Sequence, residues 1–507
     1  MQTSTRRLAA VAAALLATTL LAATPAAAAG PPHRGIDWQP CPDAEAGDPV
    51  ECATITVPLD YDRPRGEKIE IGLARRQAAN PHEKIGTILM DPGGPGGSGV
   101  ASIVFGGNPL SGEAAERFDI VGFDPRGVNT STQVLCSEDA LVPVALAGIP
   151  HDEASFEALE AANAGLTEDC RERTGKLFDH VSNLETVEDM ERIRRALGEG
   201  RLNFLGYSYG TLMGQQYAEQ YPRKIRTMVL DGNMDHSLES TWDFMSSETA
   251  PVEENFLAFA DWCASASECA LHGEDVATVH AELKAMARSG GLIDPYSGDP
   301  LDFYGLTEGY TFGANYPQYW PTLAEEYAAM LAGETLPGVS ALQEAALLEY
   351  LYYPAWCQDW GWEIEDYDEF AALTGKLAEE YPNVEWTPYN THALACVGSG
   401  IEHTNGREEL DIDHAPPIVF IGNEHDPATV YEWTLTAAEQ ADGHLITYEG
   451  YSHTVYGGWS ACVDDAVNAY FVDRTVPEEG LRCPNLDFPG GFGALGDQRA
   501  PGTVGPY

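Results

Sequence analysis

The chain has 507 residues, of which 44% are hydrophobic, and its formal net charge at neutral pH is −51. This length is enough for a large core and for more than one domain. The excess of 79 Asp and Glu over 28 Lys and Arg argues against nucleic acid as a partner, because phosphate backbones attract basic surfaces. An acidic surface either favours cationic groups such as free amino termini or serves solubility and salt tolerance, and composition leaves both open.

Residues 1–29 have the form of a secretory signal peptide. Arg6 and Arg7 precede the apolar run LAAVAAALLATTLLAA, and the small-residue segment TPAAAAG follows it. We therefore expect cleavage near Ala29 and a secreted, extracellular mature protein; the paired arginines also fit twin-arginine export. The region of the cleavage point contains no cysteine that could carry a lipid anchor, and no later apolar run is long enough to span a bilayer. We therefore predict no membrane anchor.

Ten cysteines fit the same compartment. Their number is even and none stands in a C-x-x-C motif, which in an exported chain indicates disulfides. Sequential pairing would close short loops throughout, although spacing leaves the connectivity open: 41–52, 136–170, 263–269, 357–396 and 462–483. Metal-ligand spacing is absent, since there is no H-E-x-x-H and the cysteines are too scattered for a zinc site. We expect no metal and no organic cofactor.

Strand-like, loop-like and helix-like segments alternate in the first half of the mature chain. CATITVPLDY and KIEIGLARRQ predict two antiparallel strands joined by a turn, and residues 84–99 and 117–131 each predict a strand that ends in a loop. Residues 151–198 have helical spacing, and residues 225–235 again predict a strand. Repeated strand–loop–helix units predict an α/β fold with a mostly parallel sheet flanked by helices.

The sequence changes character after residue 235. Trp, Tyr, Phe and acidic residues crowd residues 236–394 in a helical pattern, which predicts an inserted helical cap. Strand patterns return at residues 416–423 and 444–450. The predicted organisation has five parts: signal peptide 1–29, N-terminal part of the core 30–235, cap 236–394, C-terminal part of the core 395–483, and Gly/Pro-rich tail 484–507.

Ser208 stands at the centre of the run Gly-Tyr-Ser-Tyr-Gly, between the apolar NFLG and the helix-like GTLMGQQYAEQY. Such a strand–turn–helix context is typical of a nucleophile elbow, in which a strained serine exposes its hydroxyl. Gly206 and Gly210 are then required, because side chains there would collide with neighbouring backbone. The alternative is an ordinary turn serine that caps the helix.

A nucleophilic serine needs a base, and the base needs a carboxylate that orients it. In this architecture the order along the chain is serine, acid, histidine, with acid and base each following a late strand. Asp426 follows the strand predicted at 416–423, and His453 follows the strand predicted at 444–450. The rival residues are less well placed: Glu424 as acid, and His425 and His444 as base.

The glycine loop GGPGGSG has two interpretations. It satisfies G-x-G-x-x-G after a strand, with Asp119 about twenty residues further on, which is typical of a dinucleotide site. Asp119, however, begins its strand rather than ending it. An acyl-transfer enzyme needs backbone N–H groups aimed at the developing oxyanion. We favour an oxyanion hole made by the N–H groups of Gly94 and Tyr209.

Several motifs together resemble the tripeptidyl aminopeptidase branch of the proline-iminopeptidase-like serine exopeptidases. They are CATITVPLDYDRP, DPGGPGGSG, FDIVGFDPRGVNTST, FLGYSYGTLMGQQYAEQYP, VLDGNMD and the C-terminal IGNEHDPAT and GYSHTVYG. The resemblance implies an α/β-hydrolase fold, release of short peptides such as tripeptides from free N-termini, and a triad of Ser208, Asp426 and His453. The iminopeptidases proper have His before the glycines, so proline specificity is not implied.

An exopeptidase of this kind also has to recognise the substrate's ammonium group, usually with carboxylates of the cap. The candidates are Glu253 and Glu254, at the start of a predicted helix, and Asp359 in WCQDWGW. Acids in a first helical turn also simply complement the helix dipole, and the cap aromatics serve equally as core or as substrate wall.

The predicted function is a secreted serine exopeptidase that acts on peptides or proteins with free N-termini through an acyl-enzyme. The first alternative is an extracellular carboxylesterase or lipase with the same triad. The second is a non-catalytic binding protein on the same fold, against which an intact triad argues. The sequence does not indicate an oligomeric state.

Overall fold

The computed structural model describes residues 35–45, 47–338 and 353–485. The predicted signal peptide and residues 486–507 of the predicted tail lie outside them. One ten-stranded sheet organises the described residues, with the following strands: β1 Gln39–Pro40, β2 Glu51–Pro58, β3 Lys68–Arg76, β4 Gly86–Asp91, β5 Phe118–Phe123, β6 Leu202–Tyr207, β7 Ile225–Asp231, β8 Val419–Asn423, β9 His444–Glu449 and β10 Leu481–Pro484.

The strand order across the sheet is β1-β2-β3-β5-β4-β6-β7-β8-β9-β10. The pairs β1–β2, β2–β3 and β3–β5 are antiparallel, and every pair from β5 to β10 is parallel. The carboxyl ends of β4, β6, β8 and β9 therefore meet at one edge of the sheet, where open α/β sheets place their functional loops.

The helices occupy both the connections between strands and the long segment between β7 and β8. They are α1 Gly99–Phe105, α2 Gly112–Arg117, α3 Glu138–Ala147, α4 Glu153–Thr174, α5 Asn183–Ala196, α6 Gly210–Gln220, α7 Thr241–Ser265, α8 Val276–Arg288, α9 Phe303–Gly309, α10 Trp320–Ala332, α11 Tyr353–Asp359, α12 Tyr367–Glu380, α13 Thr391–Leu394, α14 Tyr431–Gln440 and α15 Ala461–Asp473. Short 3₁₀ turns lie at Pro81–Glu83, Gly175–Asp179, Pro222–Lys224, Thr311–Asn315, Pro317–Tyr319 and Pro388–Asn390.

The central strands are continuous apolar runs because helices cover both faces of the sheet. Every residue of β4, β5, β6 and β8 is buried. Successive side chains point to opposite faces: Leu89 belongs to one buried cluster, whereas Ile88 and Met90 belong to another. The predicted mostly parallel sheet flanked by helices is confirmed.

Between β7 and β8 the described residues form helices α7 to α13 and the 3₁₀ turns at Thr311–Asn315, Pro317–Tyr319 and Pro388–Asn390. Helix α7 begins with a capping box, in which Ser240 accepts a hydrogen bond from the Asp243 N–H and the Asp243 side chain accepts one from the Ser240 N–H. The boundaries of the predicted cap and core parts stay predictions.

Five disulfides join the ten cysteines in sequential order: Cys41–Cys52, Cys136–Cys170, Cys263–Cys269, Cys357–Cys396 and Cys462–Cys483. This is the sequential pairing that the spacing left open. In the part of the chain that the structure describes, no helix is both long and apolar enough to cross a bilayer. The same residues contain no group of three or more His, Cys, Asp or Glu side chains placed to hold a metal ion.

Candidate active site

Ser208 lies between β6 and α6 on a backbone turn that only a tightly packed site stabilises. Its φ is 53°, in the left-handed region that a non-glycine residue seldom adopts, and its N–H donates to the Asp231 carbonyl at 2.9 Å. A Cβ on Gly206 would lie 2.6 Å from the Gly210 carbonyl oxygen, and one on Gly210 would lie 2.8 Å from the Asp91 carbonyl oxygen. Both glycines are therefore required by close backbone approach, as in a nucleophile elbow.

Asp426 and His453, from the loops after β8 and β9, form a buried pair. Nδ1 of His453 lies 3.0 Å and 3.2 Å from the two carboxylate oxygens of Asp426. The N–H groups of Ala428 and Thr429 donate to the same carboxylate at 2.9 Å and 3.0 Å. This arrangement fixes the ring with Nδ1 toward the acid, which leaves Nε2 for a second partner.

The pKa of His453 reflects opposing influences. Burial by itself lowers this pKa, but the carboxylate of Asp426, through charge and hydrogen bond, and the charge of Asp231 outweigh burial and raise it above the ordinary value. An imidazole with a raised pKa is a stronger base toward a nearby hydroxyl.

Thr429 is a polar contact of this pair that the sequence reasoning missed. Its hydroxyl donates to Asp426 Oδ2 at 3.0 Å and lies 3.3 Å from His453 Nδ1. It reaches both because it stands three residues after Asp426, in the turn whose N–H groups also bind that carboxylate. A Thr three residues after a candidate acid is the sequence signal, since Asp side chains commonly bind the backbone two or three residues on.

The glycine loop after β4 packs directly against the elbow. A Cβ on Gly93 would lie 2.6 Å from the Tyr207 carbonyl oxygen and 2.9 Å from the Tyr209 nitrogen. The Gly93 N–H donates to the buried carboxylate of Asp91 at 2.9 Å. Within the described residues, the N–H groups of Gly94 and Tyr209 donate to no protein acceptor, so both predicted oxyanion donors are available.

The position of Asp119 argues against the dinucleotide interpretation of the glycine loop. Asp119 is the second residue of β5 and pairs with Thr87 near the start of β4, at the opposite end of the sheet from the glycine loop. Its carboxylate accepts hydrogen bonds from the Ala78 N–H at 3.0 Å and from Lys84 Nζ at 2.6 Å. Asp119 therefore forms an ion pair with Lys84 at the end of the sheet opposite the glycine loop.

Ser208, His453 and residues Gly94–Ser98 line one cavity of about 460 Å³. One wall comes from the α3–α4 region and includes Val144, Ile149 and Leu159. The other wall comes from the segment between β7 and β8; its residues are Met234, Glu248, Glu308, Tyr353, Trp356, Tyr389, Thr391, His392, Leu394 and Ala395. An apolar cavity with a few polar groups beside a reactive pair is the usual form of a small-molecule or peptide site.

The three carboxylates predicted for amine binding lie outside this wall. Glu253 accepts hydrogen bonds from the N–H groups of Asn383 and Val384 at 3.1 Å and 2.9 Å, so it anchors a turn. Glu254 is exposed on the next position of α7. Asp359 is fully buried and accepts hydrogen bonds from the Tyr209 hydroxyl, the Asn183 N–H and the Asn405 amide. None of the three is among the residues that line the cavity.

Two other glutamates do line the cavity. Glu308 accepts a hydrogen bond from Trp386 Nε1 at 2.9 Å. Glu248 lies on α7 and is buried, and its Oε2 has no hydrogen-bond partner among the described residues. Burial, with the nearby charge of Asp426, raises the pKa of Glu248 well above its ordinary value. No sequence pattern points to Glu248, because its position in the cavity wall depends on how α7 packs.

Comparison with known proteins agrees with this geometry. The sequence profile of the alpha/beta hydrolase fold family matches residues 86–456. The chain belongs to the alpha/beta hydrolase family. The matched range begins with β4 and contains Ser208, Asp426 and His453.

This hydrolase has three informative relatives. It is 28% identical over 489 residues to serine protease Hip1 of Mycobacterium tuberculosis, covering 88% of this chain and 91% of that protein. It is 28% identical over 472 residues to tripeptidyl aminopeptidase of Streptomyces lividans, covering 89% and 86%. It is 29% identical over 476 residues to carboxylesterase B of Mycobacterium tuberculosis, covering 86% of each. The protein is a serine hydrolase with peptidase and esterase relatives, and the resemblance to a serine exopeptidase branch is confirmed.

Proposed function

We propose that this hydrolase is a secreted aminopeptidase that releases short peptides, such as tripeptides, from free N-termini. The observation that carries the proposal is Glu248, a buried carboxyl group whose Oε2 has no hydrogen-bond partner among the described residues, in the cavity that Ser208 and His453 line. A buried polar group without a partner costs free energy unless a ligand supplies the partner. A substrate ammonium group is a partner of matching charge.

Ser208, His453 and Asp426 then act as nucleophile, base and orienting acid. The Ser208 oxygen attacks the scissile carbonyl carbon while His453 Nε2 takes the hydroxyl proton, and the carbonyl oxygen becomes an oxyanion between the N–H groups of Gly94 and Tyr209. The C–N bond breaks, His453 returns the proton to the leaving amine, and the N-terminal fragment stays as an ester on Ser208. Water, deprotonated by His453, hydrolyses that ester and restores the serine.

Glu248 supplies recognition rather than chemistry in this scheme. An ammonium about 4 Å from a carboxylate gains about 4 kcal/mol at an effective dielectric constant of 20. Burial raises the pKa of Glu248, and a bound ammonium group would favour its ionised form. A blocked amine gains nothing from this carboxylate. The name of the Streptomyces relative, tripeptidyl aminopeptidase, supports this substrate class.

Secretion rests on different observations. The first 29 residues have the composition of a signal peptide, and five disulfides are typical of proteins made for an oxidising compartment. A peptide substrate in that compartment meets a strongly acidic protein, whose charge attracts cationic amino termini.

The second candidate is a carboxylesterase with the same three catalytic residues. The apolar wall formed by Val144, Ile149 and Leu159 favours it, because such a surface accepts an acyl chain as readily as apolar side chains. The carboxylesterase B relative is as similar as the peptidases. The two functions differ in whether the substrate carries a charged amine.

A substrate panel tests the proposal. Tripeptidyl, aminoacyl and acyl-ester substrates with one reporter group, each with a free or acetylated amine, are compared on the purified enzyme and on Glu248→Gln. We expect acetylation to lower kcat/KM of the wild type by about 100-fold or more and to have little effect on Glu248→Gln. The exposed Glu254→Gln on the same helix is the matched control and should behave as wild type. Equal hydrolysis of free and acetylated substrates by the wild type would contradict the aminopeptidase, and hydrolysis of the acyl esters alone would favour the esterase.

A further inference from the structure

Asp231, the last residue of β7, contacts the parts of the chain that carry the proposed nucleophile and base. It is fully buried and pairs with Tyr207 of β6 on one side and Ile421 of β8 on the other. Its carbonyl oxygen accepts the hydrogen bond from the Ser208 N–H at 2.9 Å. The backbone of this residue therefore holds the strained turn of the elbow.

The side chain of Asp231 reaches the loop that follows His453. One carboxylate oxygen, Oδ2, accepts hydrogen bonds from the N–H groups of Val455 and Tyr456 at 2.9 Å and 2.8 Å. These residues stand two and three positions after His453. Two N–H donors on one carboxylate oxygen are a strong and directional attachment for a loop without regular structure.

Neighbouring residues show how closely this loop is packed. Asn423, at the end of β8, donates its amide to the His453 carbonyl at 2.9 Å. A Cβ on Gly232 would lie 2.9 Å from the same carbonyl oxygen. The loop carrying His453 therefore packs on the ends of β7 and β8, and Asp231 supplies the carboxylate that binds this loop.

We propose that Asp231 is a positioning residue. Through its backbone carbonyl oxygen and its carboxylate Oδ2, it fixes the distance between Ser208 and His453. The inference rests on the proposed catalytic roles of those two residues. Asp231 is not the orienting acid, because His453 Nδ1 is hydrogen-bonded to Asp426. Its role is to keep the imidazole within reach of the hydroxyl, and misplacement by about 1 Å commonly costs about 100-fold in rate.

The charge of Asp231 also affects the pKa of His453, and a purely structural residue would have no such effect. Burial raises the pKa of Asp231 to about 7, while the two N–H groups and His453 lower it and Asp426 raises it. Other ionisable groups also interact with this pair of carboxylates: Tyr207 with Asp231, and Glu248 and Tyr316 with Asp426. The Asp231 carboxylate in turn raises the pKa of His453, so its removal lowers that pKa.

The experiment measures the rate at which a fluorophosphonate phosphonylates the serine, because this step needs Ser208 and His453 but no amine recognition. Two variants have side chains close to Asp in size: Asp231→Asn keeps one acceptor oxygen for the two N–H groups, and Asp231→Leu keeps none. The matched control is Asp464→Ala, which removes the carboxylate that binds the Gly457 N–H of the same loop.

We expect Asp231→Leu to react about 100-fold more slowly, Asp231→Asn to stay within about threefold of wild type at its optimum pH, and Asp464→Ala to match wild type. We also expect the acid limb of the Asp231→Asn pH profile to move to lower pH. A wild-type rate for a folded Asp231→Leu overturns the proposal. Thermal unfolding of each variant identifies those that fold.

If Asp231→Leu does not fold, Asp231→Asn decides alone. A rate at optimum pH more than tenfold below wild type, or an unshifted acid limb, then contradicts the proposal. Failure of the catalytic assignment looks different, since the wild type itself would then not be phosphonylated at Ser208.

Discussion

The edge of the sheet that carries the proposed catalytic residues and the wall of the cavity are built in different ways. At the edge, Ser208, Asp426 and His453 each follow a strand of one parallel sheet, so the backbone alone brings them together. The wall combines side chains from α3, α4, α7 and α11, which together span more than two hundred residues of the chain and meet only through packing. Strand order therefore places the proposed catalytic residues, and the packing of helices places the residues of the cavity wall.

The two regions also differ in how their polar groups are satisfied. At the edge, the carboxylate of Asp426 is bound by His453, Thr429 and the Ala428 N–H, so it is ordered before any substrate arrives. In the wall, Glu248 has an oxygen without a partner among the described residues. We therefore expect the edge to be preorganised for the proposed reaction and the wall to be completed by a bound substrate. The following experiments separate these contributions.

The largest effect should come from the nucleophile. Ser208→Ala removes the attacking oxygen, and we expect kcat for both peptide and ester substrates to fall by about 10⁴-fold or more with little change in thermal stability. Steady-state kinetics and thermal unfolding measure the two quantities. Residual turnover within tenfold of wild type would show that another residue is the nucleophile.

The next largest effect should come from the contact between the glycine loop and the elbow. In Gly93→Ala the new Cβ meets the Tyr207 carbonyl oxygen at 2.6 Å and the Tyr209 nitrogen at 2.9 Å. We expect the oxyanion donors to separate and kcat to fall by about 100-fold or more.

Gly107 gives a matched control for this variant. Its φ is 89°, close to the 96° of Gly93, but a Cβ there meets nothing within 4 Å. Gly107→Ala should therefore keep wild-type kcat although it carries the same backbone strain. Equal loss in both variants would assign the effect to strain rather than to the elbow contact.

A substitution in the cavity wall should change substrate binding without changing the reactivity of Ser208. Ala145 is exposed and lines the cavity, so Ala145→Trp narrows it. We expect KM for the preferred peptide substrate to rise several-fold while the rate of phosphonylation by a small fluorophosphonate stays at the wild-type value. A parallel loss in both assays would mean that wall and edge are not separable at this position.

The smallest expected effect concerns Asp359, at the end of α11. This residue does not line the cavity, but it accepts a hydrogen bond from the hydroxyl of Tyr209, next to Ser208. Burial raises the pKa of Asp359 to about 7, although bonds from Tyr209, Asn183 and Asn405 lower it. An unfolded Asp has a pKa of about 3.9, so the folded state binds the proton more tightly, and this stabilisation is complete below that pH and lost as pH rises through about 7.

Asp359→Asn should remove this share of the pH dependence. Between pH 4 and 8 we expect the free energy of unfolding of the wild type to fall by about 1–4 kcal/mol more than that of the variant, measured by urea denaturation with disulfides intact. The exposed Asp413→Asn should leave the dependence unchanged. An identical pH dependence of wild type and Asp359→Asn would contradict a raised pKa at Asp359.

The sheet and the geometry of the elbow could be predicted from the sequence because both follow short-range rules. Apolar runs such as Leu202–Tyr207 signal buried strands, and the glycines around Ser208 signal close backbone approach. The short strands Gln39–Pro40 and Leu481–Pro484 were not predicted, since segments of two and four residues carry no periodicity.

The amine-binding candidates show where this reasoning ends. Glu253, Glu254 and Asp359 have the right residue type and lie in the right region, yet the cavity is lined by Glu248 and Glu308. On α7, a shift of five positions turns a side chain to a different face, so only the packing of the helix selects the residue that meets the cavity. Thr429 and Asp231 are similar, because their contacts depend on turns at the ends of β8 and β7.

The most direct test of the central claim is the site and rate of covalent labelling by a fluorophosphonate on the intact, disulfide-bonded enzyme. Peptide mass spectrometry should locate one adduct on Ser208, and His453→Ala should label at least about 1,000-fold more slowly than wild type. An adduct on another serine, or wild-type labelling of Ser208 in His453→Ala, would contradict the convergence of Ser208, His453 and Asp426 into one catalytic unit.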